Sequence, residues 1–588
     1  MSSGLGQASL FEIGLCIPST CSSSDLRASL DETVKNYSLA SNVLSCDDAS
    51  HKALSPAEIG VTIMFAIIGL YLLAGTVLDI YQRISCNKQL QGNTRKILIA
   101  GSILTNGERI LSTKTRKDNI GCLNGIRFIT MTWVVLGHVY SFKLISIPAV
   151  NPISYIEMVN DWKFMAIVNA VVSVDTFFFL SGLLVTYLLL KELDRNKGRF
   201  NIFRFYFHRY IRLTPALALL IAFTTVYMSR LRSGPYYFNL HQFLTKACED
   251  YWWRNLLYIN NLFKQEEMCA AHTWYMANDM QMYIISPLFI FPLFMWPVWG
   301  VCLAVVGTAL SALATVLVMK TYDLPGTTTG YDVMHPLPNT NNFDLFYVKP
   351  WMRLGPYLIG ILTGYLLHRM KKTGFRFPKG TAVWGWAMAT ACNLAVLYGI
   401  YGYMPLDSPQ MPRDLQLTYN ALFRIAWACG VAWVVLACAA GSGGSIDALL
   451  SWKAFIPLGR LTYSAYLTHV YILPWFWWST KTSITALQVI DFLATVIIIH
   501  ATAFILTLIG ESPILVLEKT FLFPGESKPA TTKQNGAETV HEEGVTEAGI
   551  GNEGSVDAEV HEKGLVKDGM DNKGYVDEDR GKTNGFPT

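Results

Sequence analysis

Stretches of about 20 mostly apolar residues recur along this chain of 588 residues, and they restrict its possible folds more than any other feature. A run of that length lets an α-helix cross the roughly 30 Å hydrocarbon core of a bilayer. In such a core only helices and closed barrels satisfy their own backbone hydrogen bonds. The pattern therefore predicts an all-α, polytopic membrane helix bundle. Its predicted spans are residues 57–81, 126–147, 166–190, 213–229, 280–297, 299–319, 351–368, 381–402, 419–440, 457–478 and 486–510.

We expect about ten core helices and one leading helix in this bundle. The dipeptide Trp296-Pro297 either separates two spans or kinks one long span, so the count can change by one. The composition agrees with a membrane protein, since 52% of the residues are hydrophobic and only 15% are charged. The net charge of +4 is too small to indicate nucleic acid as a partner.

Lys and Arg residues are concentrated in the loops after the first, third and seventh spans, which fall on one side of the membrane. The positive-inside rule makes this side cytosolic. The N-terminus is then extracellular or lumenal and the C-terminus cytosolic. We therefore expect an integral multi-pass protein of the plasma membrane or an endomembrane, with membrane lipids around it.

The cysteines fall into groups according to their position. Those before the first span and those in the long polar loop before the fifth span are predicted on the outer side, where disulfides form. The sequon Asn36-Tyr37-Ser38 is a glycosylation candidate on the same side. Neither group has the spacing of a zinc finger, so no metal is expected. Cysteines inside apolar runs, such as Cys438, are interpreted as small buried hydrophobic residues. The disulfide candidates are Cys16, Cys21, Cys46, Cys248 and Cys269.

The sequence divides into five predicted segments. The last of them is acidic, rich in Gly and built from decapeptide repeats, so it offers too little apolar surface to offset the entropy of ordering. The first lacks the basic and apolar regions of a signal peptide, which we interpret as a start partway through an extracellular domain. The segments are an extracellular cysteine-rich part (1–55), a leading transmembrane helix (56–82), a cytosolic basic loop (83–119), a membrane domain (120–510) and a disordered cytosolic tail (511–588).

Arg127 and His138 lie eleven residues apart in one apolar run, GIRFITMTWVVLGHVYSF. At 100° per residue, both side chains point to nearly the same face of a helix, about 16 Å apart along its axis. An arginine at a bilayer centre costs roughly 2.5–3.5 kcal/mol, which is usually tolerated only for a function. We interpret the pair as the centre of a membrane-embedded acyl-transfer site, with His138 as its catalytic base.

Two further residues are expected at the depth of His138. Asp175 in the run SVDTFFFLSG could hold one ring nitrogen of His138 and fix its tautomer, which makes it the second predicted catalytic residue. Alternatively, the two residues satisfy each other for packing alone. His469 shares a helix face with Tyr466 and is interpreted either as a second acid–base group or proton relay, or as a structural histidine.

Polar residues also gather in the segment CAAHTWYMANDMQMYIISP, at the predicted outer mouth of the fifth span. These groups could bind an acceptor hydroxyl. The alternative is an ordinary aromatic belt followed by a helix start at Asn278 or Asp279. The predicted substrate-binding residues are Trp274, Tyr275, Asp279, Gln281, Tyr466 and His469.

On the cytosolic side, Arg209 and Arg212 share a helix face and form a basic rim together with Arg127. Guanidinium groups bind phosphates bidentately, so this rim is suited to coenzyme A, although the positive-inside rule alone also places arginines here. The sequence contains no GxSxG, HExxH or phosphate-loop motif. A thioester is already activated, so transfer to a hydroxyl needs mainly a base such as histidine.

Five motifs in order resemble the acyltransferase 3 family of integral membrane proteins over roughly residues 120–510. In addition, GLCIPSTCSSSDL at 14–26 resembles part of the cysteine-rich extracellular domain of the nose resistant to fluoxetine proteins, an animal branch of that family. The five motifs are Arg-x10-His at 127–138, FFFLSG at 177–182, HRYIRLTP at 208–215, HTWYMANDMQMY at 272–283 and LTYSAYLTH at 461–469.

The resemblance implies about ten core helices, with acyl-CoA as the donor co-substrate at the cytosolic face and a hydroxyl-bearing lipid or carbohydrate acceptor reached from the other side. In family terms His138 is the catalytic histidine, Arg127 its motif partner, and Arg209 and Arg212 the Arg-x-x-Arg element. Asp279 aligns with the first acid of a Glu-Glu-Gln-Phe-Tyr-like pattern, but Met280 replaces the second acid and puts a two-carboxylate role in doubt. Two alternatives stay open: a lipid or drug transporter on the same scaffold, and a receptor-like scaffold that signals through its tail.

Overall fold

The structure is a computed structural model of the chain. It describes residues 17–18, 21–35, 43, 53–85, 92–115, 120–146, 157–158, 160–228, 230–231, 245–324, 342–405, 408–478 and 489–522. The predicted glycosylation site at Asn36, the disulfide candidates Cys16 and Cys46, and the repeats of the tail lie outside these residues.

The described residues form helices joined by loops and short helical turns, with no strand among them. The helices, numbered in chain order, are α1 Ser23–Val34, α2 Pro56–Ser85, α3 Asn93–Ala100, α4 Ile103–Leu111, α5 Cys122–Ser146, α6 Val172–Arg195, α7 Ile202–Tyr227, α8 Lys246–Leu256, α9 Trp274–Ile285, α10 Pro287–Met295, α11 Pro297–Thr321, α12 Pro350–Thr373, α13 Lys379–Tyr398, α14 Arg413–Ala439, α15 Gly444–Leu450, α16 Phe455–Trp478, α17 Val489–Leu506 and α18 Ser512–Leu517.

The predicted all-α membrane bundle is confirmed. Within the described residues, eight helices are long and apolar enough to cross a membrane. Both α12 and α16 have 24 residues as well and bury many of their side chains, but they are not among these eight helices. The eight candidate spans are Pro56–Ser85, Cys122–Lys143, Trp162–Arg195, Ile202–Tyr227, Pro297–Thr321, Lys379–Tyr403, Arg413–Ala439 and Val489–Phe521.

Two sequence predictions about segment boundaries are wrong. The fifth predicted span, 280–297, is divided between the short helices α9 and α10. Proline lacks a backbone N–H, which is not needed in a first turn, so Pro287 and Pro297 each begin a new helix. The predicted disordered tail also starts too early, because helical turns continue from Thr507 to Leu522 with Leu508 and Leu515 buried.

The leading helix α2 presents one face to lipid and the other to the protein. Ile63, Ile67 and Leu70 are each more than half exposed, as expected for side chains that face acyl chains. The opposite face carries buried Asp79, which accepts hydrogen bonds from Arg83 and from Ser102 at the start of α4. The predicted basic loop 83–119 thus contains two helices, α3 and α4, that pack against α2.

Helices α6 and α12 make the most extensive helix–helix contact among the described residues, and α6 lines the cavity of the candidate site. A Cβ atom at Gly182 of α6 would collide with the carbonyl oxygen of Tyr357, and one at Gly360 of α12 with that of Phe179. Gly360 and Gly364 are four residues apart, the small-xxx-small spacing that lets membrane helices approach closely. Gly182 and Gly360 are therefore packing residues of the contact between α6 and α12.

We predict that Gly360→Ala destabilises the protein by about 1–3 kcal/mol, because its methyl group must push two helix backbones apart. The matched control is Gly69→Ala in α2, where a Cβ would meet no atom within 4 Å. Thermal unfolding of both variants in detergent checks this difference. Equal unfolding temperatures for the two variants would contradict the close α6–α12 contact.

Candidate functional site

A cavity of about 680 Å³ lies between α5, α6, α7, α9 and α16 and is lined by many basic side chains. Its size is within the roughly 300–1,000 Å³ typical of small-molecule sites. It follows α6 from Arg195 to Phe177, a length of about 27 Å at 1.5 Å per residue. Its charged lining consists of Lys114, Arg127, Lys191, Arg195, Arg204, Arg209, Arg212 and Arg460, against the acids Glu192, Asp279 and Glu511.

The three arginines of the predicted basic rim all line this cavity, but they differ in their carboxylate partners. Arg127 makes no ion pair with a carboxylate among the described residues. The Arg212 Nε atom lies 3.9 Å from a carboxylate oxygen of Glu511. Arg209 is bound to Asp279 and stacks 4.2 Å above the ring of Tyr283. Arg127 is therefore the arginine of this rim without a carboxylate partner.

Asp279 lies in a different place from the one predicted. The sequence predicts it at the outer mouth, where it would help to bind an acceptor. Instead it lines the basic cavity and accepts a hydrogen bond from Arg209, whose guanidinium also donates to Ser181 at 3.3 Å. The physical reason is that α9 begins inside the bundle. Residues in the middle of this helix therefore reach the basic cavity.

His138 has one ring nitrogen occupied and one available. Its Nδ1 atom lies 3.1 Å from the carbonyl oxygen of Val134, one turn earlier in α5. A carbonyl can only accept a hydrogen bond, so the neutral ring carries its proton on Nδ1 and leaves the Nε2 lone pair for another proton. The half-buried ring is stacked 5.5 Å from that of Phe142.

The basic cavity ends before it reaches His138. Tyr275 and Tyr466 line its inner end with their ring centroids 5.2 Å apart, whereas His138 is not part of the lining. The ring of His469 lies 5.0 Å from that of His138 and 5.5 Å from that of Tyr466. Tyr466 thus adjoins both the cavity that Arg127 lines and the ring of His469, and we interpret Tyr275 and Tyr466 as a barrier between the cavity and His138, the Tyr275–Tyr466 barrier.

The prediction that Asp175 orients His138 is wrong. Both oxygens of the fully buried Asp175 accept hydrogen bonds from Nη1 of Arg353, at 3.1 and 3.0 Å. The Nε atom of Arg424 lies 3.8 Å from the same carboxylate. A carboxylate away from water binds the strongest hydrogen-bond donors within reach. Two charged guanidinium groups stabilise it more than one neutral imidazole does. The role predicted for Asp175 is filled by the carbonyl of Val134.

Two of the predicted acceptor residues have structural partners instead. Trp274 is buried, packs against Phe178 and lies 5.3 Å from the guanidinium of Arg353. The Gln281 amide donates to the carbonyl of Tyr258 at 2.9 Å and exchanges hydrogen bonds with Asn261. These contacts hold α9 and the loop before it in place, and neither residue lines the basic cavity.

His469 and Tyr466 are brought together with a third residue, His272. The Tyr466 hydroxyl donates to the carbonyl oxygen of His272. His469 Nδ1 lies 2.6 Å from the Tyr466 carbonyl, and its buried Nε2 has no hydrogen-bond partner among the described residues. The ring centroids of His272 and His469 are 5.8 Å apart. A chain of imidazoles thus continues from His138 behind the barrier.

Sequence reasoning missed three charged residues of the bundle interior, namely Arg353, Arg424 and Glu511. The signal was present, because ionisable residues inside predicted spans are themselves candidates for function or pairing. Arg353 and Arg424 neutralise Asp175, and Glu511 carries the carboxylate that faces Arg212. All three are buried.

The predicted disulfide between Cys248 and Cys269 is confirmed. It ties α8 to the loop before α9, where Asn255 also donates hydrogen bonds to the carbonyl of Cys269 and the hydroxyl of Thr273. Cys21 is exposed and forms no disulfide with another described residue.

Comparisons with known proteins identify the family of the chain. The acyltransferase domain family matches residues 120–510. The "Nose resistant to fluoxetine protein 6" of Caenorhabditis elegans is 29% identical over 78% of this chain, and the chain spans 60% of that relative's length. The "Regulator of hypoxia-inducible factor 1" of the same organism is 26% identical over 68% of this chain and 80% of its own.

A bacterial relative matches a shorter part of the chain. The Staphylococcus aureus (strain COL) protein "Putative O-acetyltransferase SACOL0978" is 32% identical over 20% of this chain and 19% of its own length. No solved structure gives a significant match.

We predict that Asp175→Asn destabilises the protein by about 3–5 kcal/mol, because it leaves two buried guanidinium groups without a counter-charge. The control is Asp194→Asn, since Asp194 pairs with His368 and Lys372 in a partly exposed position where an ion pair contributes about 0–1 kcal/mol. Thermal unfolding in detergent measures both. A small and equal effect of the two substitutions would refute the pairing of Asp175.

Proposed function

Since the chain belongs to the acyltransferase 3 family of integral membrane proteins, we propose that it transfers an acyl group from acyl-CoA to a hydroxyl acceptor, a lipid or a carbohydrate. The observation that carries this proposal is the arrangement of α5. One face of this helix presents Arg127 to the basic cavity and, beyond the Tyr275–Tyr466 barrier, an imidazole with an available nitrogen at His138.

The donor side of the proposal rests on the charge and length of the cavity. The phosphates of coenzyme A need several cations, and Arg127 and Arg212 offer guanidinium groups in an otherwise partly apolar space. The elongated cavity suits a donor whose phosphates stay near Arg195 and whose thioester reaches the tyrosines. Since acyl-CoA and the excess of basic residues both belong to the cytosolic side, we propose that this end of the bundle is cytosolic.

The chemical step needs one base and no covalent enzyme intermediate. The acceptor hydroxyl gives its proton to Nε2 of His138 as its oxygen attacks the thioester carbonyl carbon. The tetrahedral intermediate collapses, the C–S bond breaks, and the departing CoA thiolate takes the proton back. Because His138 and the cavity lie on opposite sides of the barrier, Tyr275 or Tyr466 must move aside for the acyl carbon to meet the acceptor.

The imidazoles behind the barrier support the proton-transfer part of the proposal. Within the described residues, neither Nε2 of His469 nor Nδ1 of His272 has a hydrogen-bond partner. Both nitrogen atoms are buried. A nitrogen of this kind can take up a proton or accept a hydrogen bond from the hydroxyl of the substrate that receives the acyl group. We propose His469 and Tyr466 as residues that position the acceptor next to His138.

We predict that His138→Ala abolishes acyl transfer, with a loss of at least about 100-fold, which is the lower end of what general-base catalysis contributes. The measurement is release of free CoA by the purified protein in lipid with acyl-CoA and an extract of candidate acceptors. His500→Ala is the matched control, because His500 has the same Nδ1 bond to a carbonyl four residues earlier, at 2.9 Å, and does not line the cavity. Undiminished CoA release by a folded His138→Ala protein would exclude the proposed chemistry.

The cavity charges give a second prediction. Arg127→Ala should raise the KM for acyl-CoA about 10–100-fold, corresponding to the roughly 1.5–3 kcal/mol of a hydrogen bond to a charged group. Glu511→Gln should lower that KM several-fold, because it removes a carboxylate that competes with phosphate for Arg212. Glu108→Gln, which alters an ion pair with Arg83 outside the cavity, is the control.

These KM values come from initial rates at varied acyl-CoA concentration. The kcat of Glu511→Gln should stay within about twofold of the wild type, since this carboxylate touches no reacting atom. The diagnostic result is a KM for acyl-CoA that Arg127→Ala raises and Glu511→Gln lowers. A KM raised by both would place the donor elsewhere.

A lipid or drug transporter is the second candidate function, and the Tyr275–Tyr466 barrier favours it. A polar passage closed by one layer of side chains also suits alternating access. Uptake of a lipid or drug into proteoliposomes without any CoA distinguishes the two. A transporter moves its substrate under these conditions, whereas the acyltransferase changes nothing until acyl-CoA is added.

A further inference from the structure

Two cysteines and one aspartate from three different helices meet at the end of the bundle that carries the basic cavity. Cys122 is the first residue of α5, Cys438 lies near the end of α14, and Asp447 lies in α15. The two sulfur atoms and a carboxylate oxygen lie within 4.8 Å of one another. Both cysteines are buried, and neither belongs to a disulfide. The proposed acyl transfer uses none of the three residues.

The backbone on both sides of Cys122 lies in direct contact with the end of α15 and the residue after it. A Cβ at Gly121 would meet the Oγ atom of Ser451 at 2.6 Å, and one at Gly125 would collide with the backbone of Leu450. The end of α15 therefore lies directly on the first turn of α5. Cys122 lies between the two glycines and has little freedom to move away.

The segment Gly441-Ser442-Gly443-Gly444 brings Asp447 back over Cys438. Gly441 and Gly444 have φ values of 77° and 52°, in the left-handed region that glycine adopts without strain. A Cβ at Gly443 would lie 2.6 Å from the Cβ of Asp447 and 2.9 Å from Sγ of Cys438. Glycines are thus required for the close approach of the carboxylate to the thiol.

The carboxylate is already oriented by a neighbour. Oδ1 of Asp447 accepts a hydrogen bond of 2.8 Å from the Ser451 hydroxyl, which leaves Oδ2 for another partner. Metal-binding carboxylates are commonly held in this way by an outer hydrogen bond. Together with two thiols, this oxygen makes a mixed sulfur and oxygen ligand set.

We propose that Cys122, Cys438 and Asp447 bind a zinc ion and that the ion clamps the start of α5 to α14 and α15. Zinc accepts thiolate and carboxylate ligands together, whereas magnesium and calcium prefer oxygen alone. A tetrahedral ion with Zn–S bonds of about 2.3 Å needs ligand atoms about 3.5–3.8 Å apart. Since the three atoms already lie within 4.8 Å of one another, a contraction of at most about 1 Å completes the site. Binding releases the two thiol protons to water, and a water molecule fills the fourth position.

The site lies close to the donor cavity along the same helix. Arg127 follows Cys122 by five residues, so an ion bound at the start of α5 fixes the helix end that presents this arginine. Cytosolic thiols stay reduced and are more often metal ligands than disulfides. The zinc site is therefore a positioning device for the first turns of α5.

The experiment uses the full-length protein in detergent with cadmium as the probe, because cadmium–thiolate bonds absorb in the ultraviolet. After mild reduction and dialysis against cadmium, the wild type should retain about one ion per chain and show the charge-transfer band. Cys122→Ser, Cys438→Ser and Asp447→Asn should each lower the affinity at least about tenfold. Cys302→Ser and Cys429→Ser, at exposed cysteines that do not belong to the cluster, should bind like the wild type.

Thermal unfolding with and without zinc separates binding from folding. Zinc should raise the unfolding temperature of the wild type and of the two control variants, but not that of the three ligand variants. If a serine variant does not fold, Asp447→Asn supplies the same comparison without changing a thiol. Retention of no cadmium by the reduced wild type, or equal retention by wild type and Asp447→Asn, would overturn the site. A Cys122–Cys438 disulfide that persists in the folded protein would overturn it as well.

Discussion

The buried ion pair between Asp175 and Arg353 is the interaction on which the rest of the bundle depends. It joins α6 to α12 away from water, where an unpaired charge costs several kcal/mol, so these two helices cannot separate or rotate without a large penalty. The glycine contacts of Gly182 and Gly360 keep the same two helices at minimum distance. Trp274 then packs against Arg353 and fixes the start of α9. These contacts hold α6 and α9, which both line the basic cavity.

On that scaffold, α5 divides the candidate site into two compartments. Arg127 belongs to the basic cavity, and His138 belongs to a group of imidazoles behind the Tyr275–Tyr466 barrier. The two compartments have different chemistry: one has an excess of guanidinium groups, and the other has neutral rings with unused nitrogen lone pairs. Such a division suits a reaction whose donor and acceptor arrive from opposite sides of a membrane.

Much of the fold could be predicted from the sequence, because span length and the distribution of Lys and Arg depend on local physics. The helix bundle, the Cys248–Cys269 disulfide and the place of Arg127 in a basic cavity follow from such local rules. The partner of Asp175 could not be predicted in this way. Arg353 lies 178 residues further along the chain, and no local pattern says which of several buried cations a carboxylate will bind.

The errors at Asp279 and Glu511 have a related cause. A residue's depth follows from the ends of an apolar run only if the run is one unbroken span, but α9 begins inside the bundle and the last span continues to Leu522. Broken and extended helices change the position of every residue that is counted along them. The roles of His138, Tyr466 and His469 stay predictions, with His138 supported by the bond of its Nδ1 to Val134.

The Tyr275–Tyr466 barrier has a consequence for the cell that is separate from catalysis. A membrane protein with a water-filled cavity risks becoming a leak for protons and small ions, which would dissipate the electrical potential across the bilayer. A pair of aromatic rings 5.2 Å apart, packed further against Phe178, is an effective insulator at that point. The cavity can therefore extend deep into the bundle without a continuous path for ions past the two rings.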